Sequence, residues 1–282
     1  MIYLFTALYP EAQGLISRYH LKKEISSGLR FQTFYNEKES IRLTITGAGE
    51  IAAACAVSSI CIKYGAGVGD FLVNLGICAA DATRGSLFFC HKLMEQATGK
   101  TFYPDILYAH ECMEATLITS SVVQSQRKMQ ESAMQQKAED IVLYDMEAAA
   151  VYQAGSYFFG PHQMSFLKVV SDFGEEQRIK TNDVAAIMDA NADKIDIYLK
   201  MLKSLEETSE KSDPKAEEES LYQDLHCSET LRADLRQHLR YWKLSGIHYE
   251  AVLEQMYEDG RLPCRDKREG KLRIEELKQQ LL

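Results

Sequence analysis

The chain has 282 residues, 46% of them hydrophobic, enough for one large core and something smaller. A formal charge of -9 argues against a general nucleic-acid binder, although it leaves room for a local basic patch. Seven cysteines with no CxxC pair, several inside apolar runs such as AAACAVSSICIKY, read as buried reduced thiols rather than a disulfide or metal framework.

The opening MIYLFTALYPEAQ lacks a basic flank and is interrupted too soon for a signal peptide or a membrane span. A cytoplasmic protein with no membrane attachment is expected. IYLFTA reads as a first strand. Pro10 suits the first turn of a helix from Pro10 to Tyr19, which puts Glu11 just past that strand. IRLTITG is a second strand, and TGAGE, Thr46 to Glu50, turns it tightly into a helix from Glu50 to Tyr64. A lone G-x-G without the remaining phosphate-binding spacing does not make a dinucleotide site. DFLVNLG and DIVLYD are further strands. Glu147 follows the second of these, at the start of a helix from Ala148 to Phe158, where the helix N-terminus favours an ionised carboxylate. MSFLKVVSD is a strand closed by Asp172, and a helix runs from Asn182 to Leu205. This alternation implies an α/β domain with a largely parallel or mixed sheet.

The character then changes. SLEETSEKSDPKAEEES, Ser204 to Ser220, is acidic with little to bury, and reads as a linker or a frayed helix end between residues 1–203 and a helical region at 221–282. There Ser228 is an N-cap for a helix with Leu231, Leu235, Leu239 and Trp242 on one stripe, stopped near Gly246. A second helix runs to Gly260, and ELKQQLL ends on a third. RLPCRDKREGKLR, Arg261 to Arg273, gathers positive charge: either a solvated stretch that balances the acidic linker, or a docking surface for an acidic partner or a nucleic-acid backbone.

Glu11, Glu147 and Asp172 thus stand at the carboxyl ends of three strands, where open α/β sheets place ligands. Each has a plainer reading. Glutamate is common in first helical turns for dipole reasons, and Asp172 before Phe173-Gly174 can simply start a turn.

The order YLFTALYPEA, TITGAGEIAAA, DFLVNLGICAA, VLYDMEAAAV, FLKVVSD resembles the nucleoside phosphorylase and nucleosidase superfamily over about residues 1–203. Within it, the methylthioadenosine/S-adenosylhomocysteine nucleosidases are the nearest match, carried best by DMEAAAV and VVSD. The resemblance implies a phosphorylase/nucleosidase-like fold, a mixed twisted sheet flanked by helices, with a small all-α domain added at the C-terminus. It implies hydrolysis of the N-glycosidic bond of a purine nucleoside or 5′-thio-nucleoside, with no cofactor or metal, in a homodimer. Under it, Glu147 would accept both ribose hydroxyls and Met146 would pack on the sugar. Asp172, beside Ser171, would protonate N7 of the base, and Glu11 would polarise the attacking water. Gly76, Ile77 and Val123 fall in its substrate-binding segments.

The pattern also departs from the family. Phosphorylases carry an arginine and a hydroxyl residue where this chain has Asn74 and Ile77, which leaves phosphate without a cationic host; the hydrolases too keep a serine or threonine at Ile77. The aromatic that stacks on the base is replaced by Val123 and the nearby acid by Ser121, so that either Phe173 or Tyr152 covers the base or the substrate is not an ordinary adenine nucleoside. Ala79-Ala80 stands where the family has GG, and Gly85-Ser86 where it has G-D. Phosphorolysis stays open, as does a weakened nucleoside-binding fold that works through its tail. To act as an acid near neutrality Asp172 must retain a proton at a cost of about 4 kcal/mol. Lys168, about 13 Å away along a regular strand, is expected to lie too far to oppose this.

Overall fold

The run IYLFT forms β1 (Ile2–Thr6), buried along its whole length. Its side chains alternate between two cores, Ile2 and Leu4 in one, Tyr3 and Phe5 in the other, as a strand covered on both faces requires. The computed structural model describes residues 1–25, 30–67, 69–126, 141–174, 179–209 and 214–281. The chain divides into two units, Met1–Ser209 and Glu210–Leu282.

In the first unit β1 leads into α1 (Tyr9–Arg18), then β2 (Lys22–Lys23), β3 (Gln32–Asn36), β4 (Ile41–Ile45) and α2 (Glu50–Tyr64). Next come β5 (Phe71–Ala80), β6 (Leu87–Glu95), β7 (Thr101–Phe102), β8 (Met113–Thr119), β9 (Val142–Asp145), α3 (Ala148–Gly155) and β10 (Met164–Asp172). Two helices close the unit, α4 (Thr181–Ala190) and α5 (Ala192–Ser209), where one was expected; Asn191 interrupts them, its amide donating to the carbonyls of Gly85 and Ile187.

The strands order as β10-β6-β8-β9-β5-β1-β4-β3-β2. Because β10 pairs with both β6 and β5, the strands β5, β9, β8, β6 and β10 close into a ring, and β1 to β4 extend the sheet from β5. The long strand β5 lies parallel to β1 and β10 and antiparallel to the end of β9. The carboxyl ends of β1, β5 and β10 therefore meet the end of β9.

The acidic stretch expected as a linker is helical where it is described. α5 runs to Ser209 and α6 (Pro214–Asp224) starts on a proline at its first position, while residues 210–213 lie outside the described chain. α7 (Glu229–Leu244), α8 (Tyr249–Glu258) and α9 (Lys267–Leu281) complete the second unit. Ser228 caps α7, its hydroxyl accepting from the N–H of Leu231, and Trp242 is buried among Leu235, Leu239, Met256 and Ile274. In the basic cluster, Arg261 and Arg273 both pair with Glu276, so part of its charge is balanced inside the unit. Burial pushes the Cys264 thiol up. Among the described residues no helix is long and apolar enough to cross a membrane.

Candidate active site

Glu11 occupies the third position of α1 and reaches back to the N–H of Leu8 at 2.7 Å, while the N–H of Ile77 on β5 donates to its other oxygen at 3.0 Å. Its carboxylate needs room, and Gly76 provides it: a Cβ there would stand 2.9 Å from Glu11 Oε1. Burial raises the carboxyl's proton affinity, more than the two N–H groups and Lys168 lower it.

The turn from β9 into α3 is organised by Asp145 and Thr119, two residues given no role from the sequence. Asp145 Oδ2 accepts from the N–H of Ala148 at 2.9 Å, and Thr119 Oγ1 from that of Ala149 at 2.9 Å. These two satisfy the helix N-terminus. Glu147, whose own side chain makes no cap bond, is left to take the N–H of Gly49 at 2.8 Å. Gly49 sits at φ 98°, a conformation open to glycine and strained for other residues, so the TGAGE turn delivers a backbone donor to Glu147. The expectation that the helix start keeps Glu147 ionised is corrected. Burial, then the negative charge of Asp145, outweighs the pull of Lys168 and Gly49, and its pKa is pushed up to about 7.

Lys168 is buried and in register with Gly76, and its ammonium lies 2.9 Å from Asp145 Oδ2. Its engagement is thus with an acid on β9, a strand that flanks β5 on the side away from β10. Burial pulls Lys168 toward the neutral form, but Asp145, Glu147 and Glu11 around it prevail and its pKa is raised.

At the end of β10 the pairing with β5 slips between Val170 and Asp172, a bulge of the kind that re-aims side chains. Ser171 donates to Asp172 Oδ2 at 2.7 Å, and the N–H of Gly174 donates to Oδ1 at 2.8 Å.

One cavity of about 180 Å³ lies at this convergence. Glu11, Ile77, Val123, Met146, Glu147, Ser171 and Asp172 all line it; Gly76, to which the resemblance also gives a place in the substrate-binding segments, is not among the lining residues. Val123 is largely exposed, at the mouth. Neither aromatic proposed to cover a base is among the lining residues. Tyr152 stacks on Phe102 and packs beside Phe166 in the core, and Phe173 is partly solvent-exposed. Ser121 instead donates to Glu50.

No protein-family model and no curated protein matches the chain. Solved structures do. A methylthioadenosine/S-adenosylhomocysteine nucleosidase from S. pneumoniae superposes with a TM-score of 0.58 at 16% identity, covering 71% of this chain and 99% of its own. The enzyme from Neisseria meningitidis gives 0.56 at 18%, covering 72% and 98%, and that from Colwellia psychrerythraea 0.57 at 16%, covering 72% and 95%.

The chain has the nucleosidase fold.

The share of the chain that these neighbours cover is comparable with the first unit's 209 of 282 residues, so the nucleosidase fold is present nearly whole and the helical unit is additional. On this nucleosidase fold the three acids surround one space. Asn74 is buried in the sheet with its amide donating to the carbonyl of Phe5, and is not among the residues that line the cavity.

Proposed function

We propose that the protein hydrolyses the N-glycosidic bond of a purine nucleoside or 5′-thio-nucleoside, releasing the free base. The observation that carries this reading is the meeting of Glu11, Glu147 and Asp172 around one cavity on a nucleosidase fold. Glu147 accepts the ribose hydroxyls, held in place by Gly49, and Met146 packs on the sugar. Asp172 gives a proton to N7, so the base leaves as a neutral molecule with the electron pair of the C1′–N9 bond. Water adds to C1′ of the oxocarbenium-like sugar and its proton passes to Glu11, whose proton affinity is raised by burial. The molecules bound to the neighbours support this chemistry: the S. pneumoniae enzyme is complexed with a transition-state inhibitor and the Colwellia enzyme with adenine.

Water is favoured over phosphate by the charges at hand. No lysine, arginine or histidine lines the cavity among the described residues, and Lys168 is committed to Asp145. A homodimer and a cytoplasmic setting belong to the same reading, and sedimentation of the purified protein tests the first. Incubation with methylthioadenosine, adenosylhomocysteine and inosine, with and without phosphate, tests the reaction. Free base without phosphate supports hydrolysis, and phosphate-dependent release supports phosphorolysis. Silence with every nucleoside leaves a binding protein, the outcome to which Ile77 and Val123 would then be assigned.

A further inference from the structure

Gln124 follows β8, is only 6% exposed, and lines the cavity between Val123 and Asp172. Its amide nitrogen is turned into the protein, where its two hydrogens are shared among three acceptors: Ser120 Oγ at 2.5 Å, Gln96 Oε1 at 3.0 Å and the carbonyl of Val122 at 3.3 Å. A backbone carbonyl can only accept, so the contact with Val122 fixes which end of the amide is nitrogen. The other end, Oε1, meets no donor among the described residues. A side chain held through its nitrogen leaves its oxygen open to whatever fills the cavity.

The segment is also placed toward the leaving group. The N–H of Gln126 donates to the carbonyl of Gly174 at 3.0 Å, and Gly174 in turn donates to Asp172. The segment after β8 that carries Gln124 and the end of β10 that carries Asp172 are therefore stitched together, while Glu147 and Gly49 hold the sugar side. Val123 offers no ring for stacking, so the orientation of a base has to come from polar contacts.

We infer that Gln124 is a specificity-determining residue that reads the base, its Oε1 accepting a hydrogen bond from an N–H on the six-membered ring edge. This rests on the nucleoside reading above. Two sources carry such a donor, the exocyclic amine of a 6-aminopurine and the ring N1–H of a 6-oxopurine; unsubstituted purine has neither.

The test is equilibrium binding of free adenine, hypoxanthine and purine to the full chain and to Gln124→Met, which keeps the length of the side chain. Wild type is expected to bind adenine or hypoxanthine at least about 10-fold more tightly than purine, and whichever base wins identifies the donor. Gln124→Met should bind all three alike, with purine affinity unchanged. The inference is overturned if the variant keeps the preference, if wild type has none, or if the variant loses purine as well, since Gln124 would then only shape the cavity. Because free bases need no turnover, failure of hydrolysis with this binding pattern intact would remove the reaction and leave the role of Gln124 standing.

Discussion

The ammonium of Lys168 sits 2.9 Å from the carboxylate of Asp145, and both side chains are almost wholly out of solvent, at 2% and 1% exposure. Asp145 also accepts from the hydroxyl of Thr119 and the N–H of Ala148, so its acceptor capacity is spent inside the fold. One cation thereby sits among three acids, with Glu11 and Glu147 as the other two. The pair does two jobs in the architecture: it anchors the start of α3, and it supplies the positive charge that partly offsets the burial of the two cavity glutamates.

Lys168→Met should destabilise the first unit by about 3–5 kcal/mol, because it leaves Asp145 buried without its countercharge. Urea unfolding measures this. Adding Asp145→Asn should restore part of the loss, since asparagine still accepts from Ala148 and carries no charge. A single variant as stable as wild type would mean that the pair is not closed in solution.

Activity should rise with pH through about 7, with a slope of one proton, as Glu147 ionises to accept the ribose hydroxyls. Stability should move the other way. The folded-state pKa of Glu147 is raised above its ordinary 4.5, so the folded chain binds more proton than the unfolded one between about 4.5 and 7. Its contribution is present below that window and is lost as pH rises through it. In Lys168→Met the rising limb of activity should shift to higher pH. A profile of kcat/KM that is flat from pH 5 to 8 would remove Glu147 from this role.

Gly76→Ala should cut turnover about tenfold or more and cost about 1–3 kcal/mol, because the new methyl would displace the Glu11 carboxylate from the N–H of Ile77. The same substitution in a Glu11→Ala background should cost little further activity. Additive losses would show that Gly76 acts on something else.

The site was more legible in the sequence than the sheet that carries it. Glu11, Glu147 and Asp172 each stand where an apolar run gives way to a turn or helix, and such junctions can be read from spacing alone. The strands β6 and β8 escaped notice because LFFCHKLME and MEATLIT mix charges into their apolar pattern, and their burial depends on closure of the ring. Lys168 shows the limit most clearly. A sequence gives distance only along a residue's own strand, whereas the partner of Lys168 lies on β9, and cross-strand neighbours follow from pairing order rather than periodicity. Gln124 carries no motif; its meaning comes from three acceptors around one nitrogen.

The chain cut after Ser209 should fold and keep the activity of the full protein within a few fold. The two large cores of the first unit and the core around Trp242 share no residue. Thermal unfolding of the shortened chain should be cooperative. Loss of cooperative unfolding would make the helical unit part of the first unit's fold.

The most direct measurement is release of free base from methylthioadenosine in phosphate-free buffer by wild type beside Glu11→Gln, Glu147→Gln and Asp172→Asn. Wild type should release base, and each variant should be slower by about 100-fold or more while remaining folded. No release by folded wild type from this or any other purine nucleoside, or three variants as fast as wild type, would contradict the assignment of these carboxyl groups to bond cleavage.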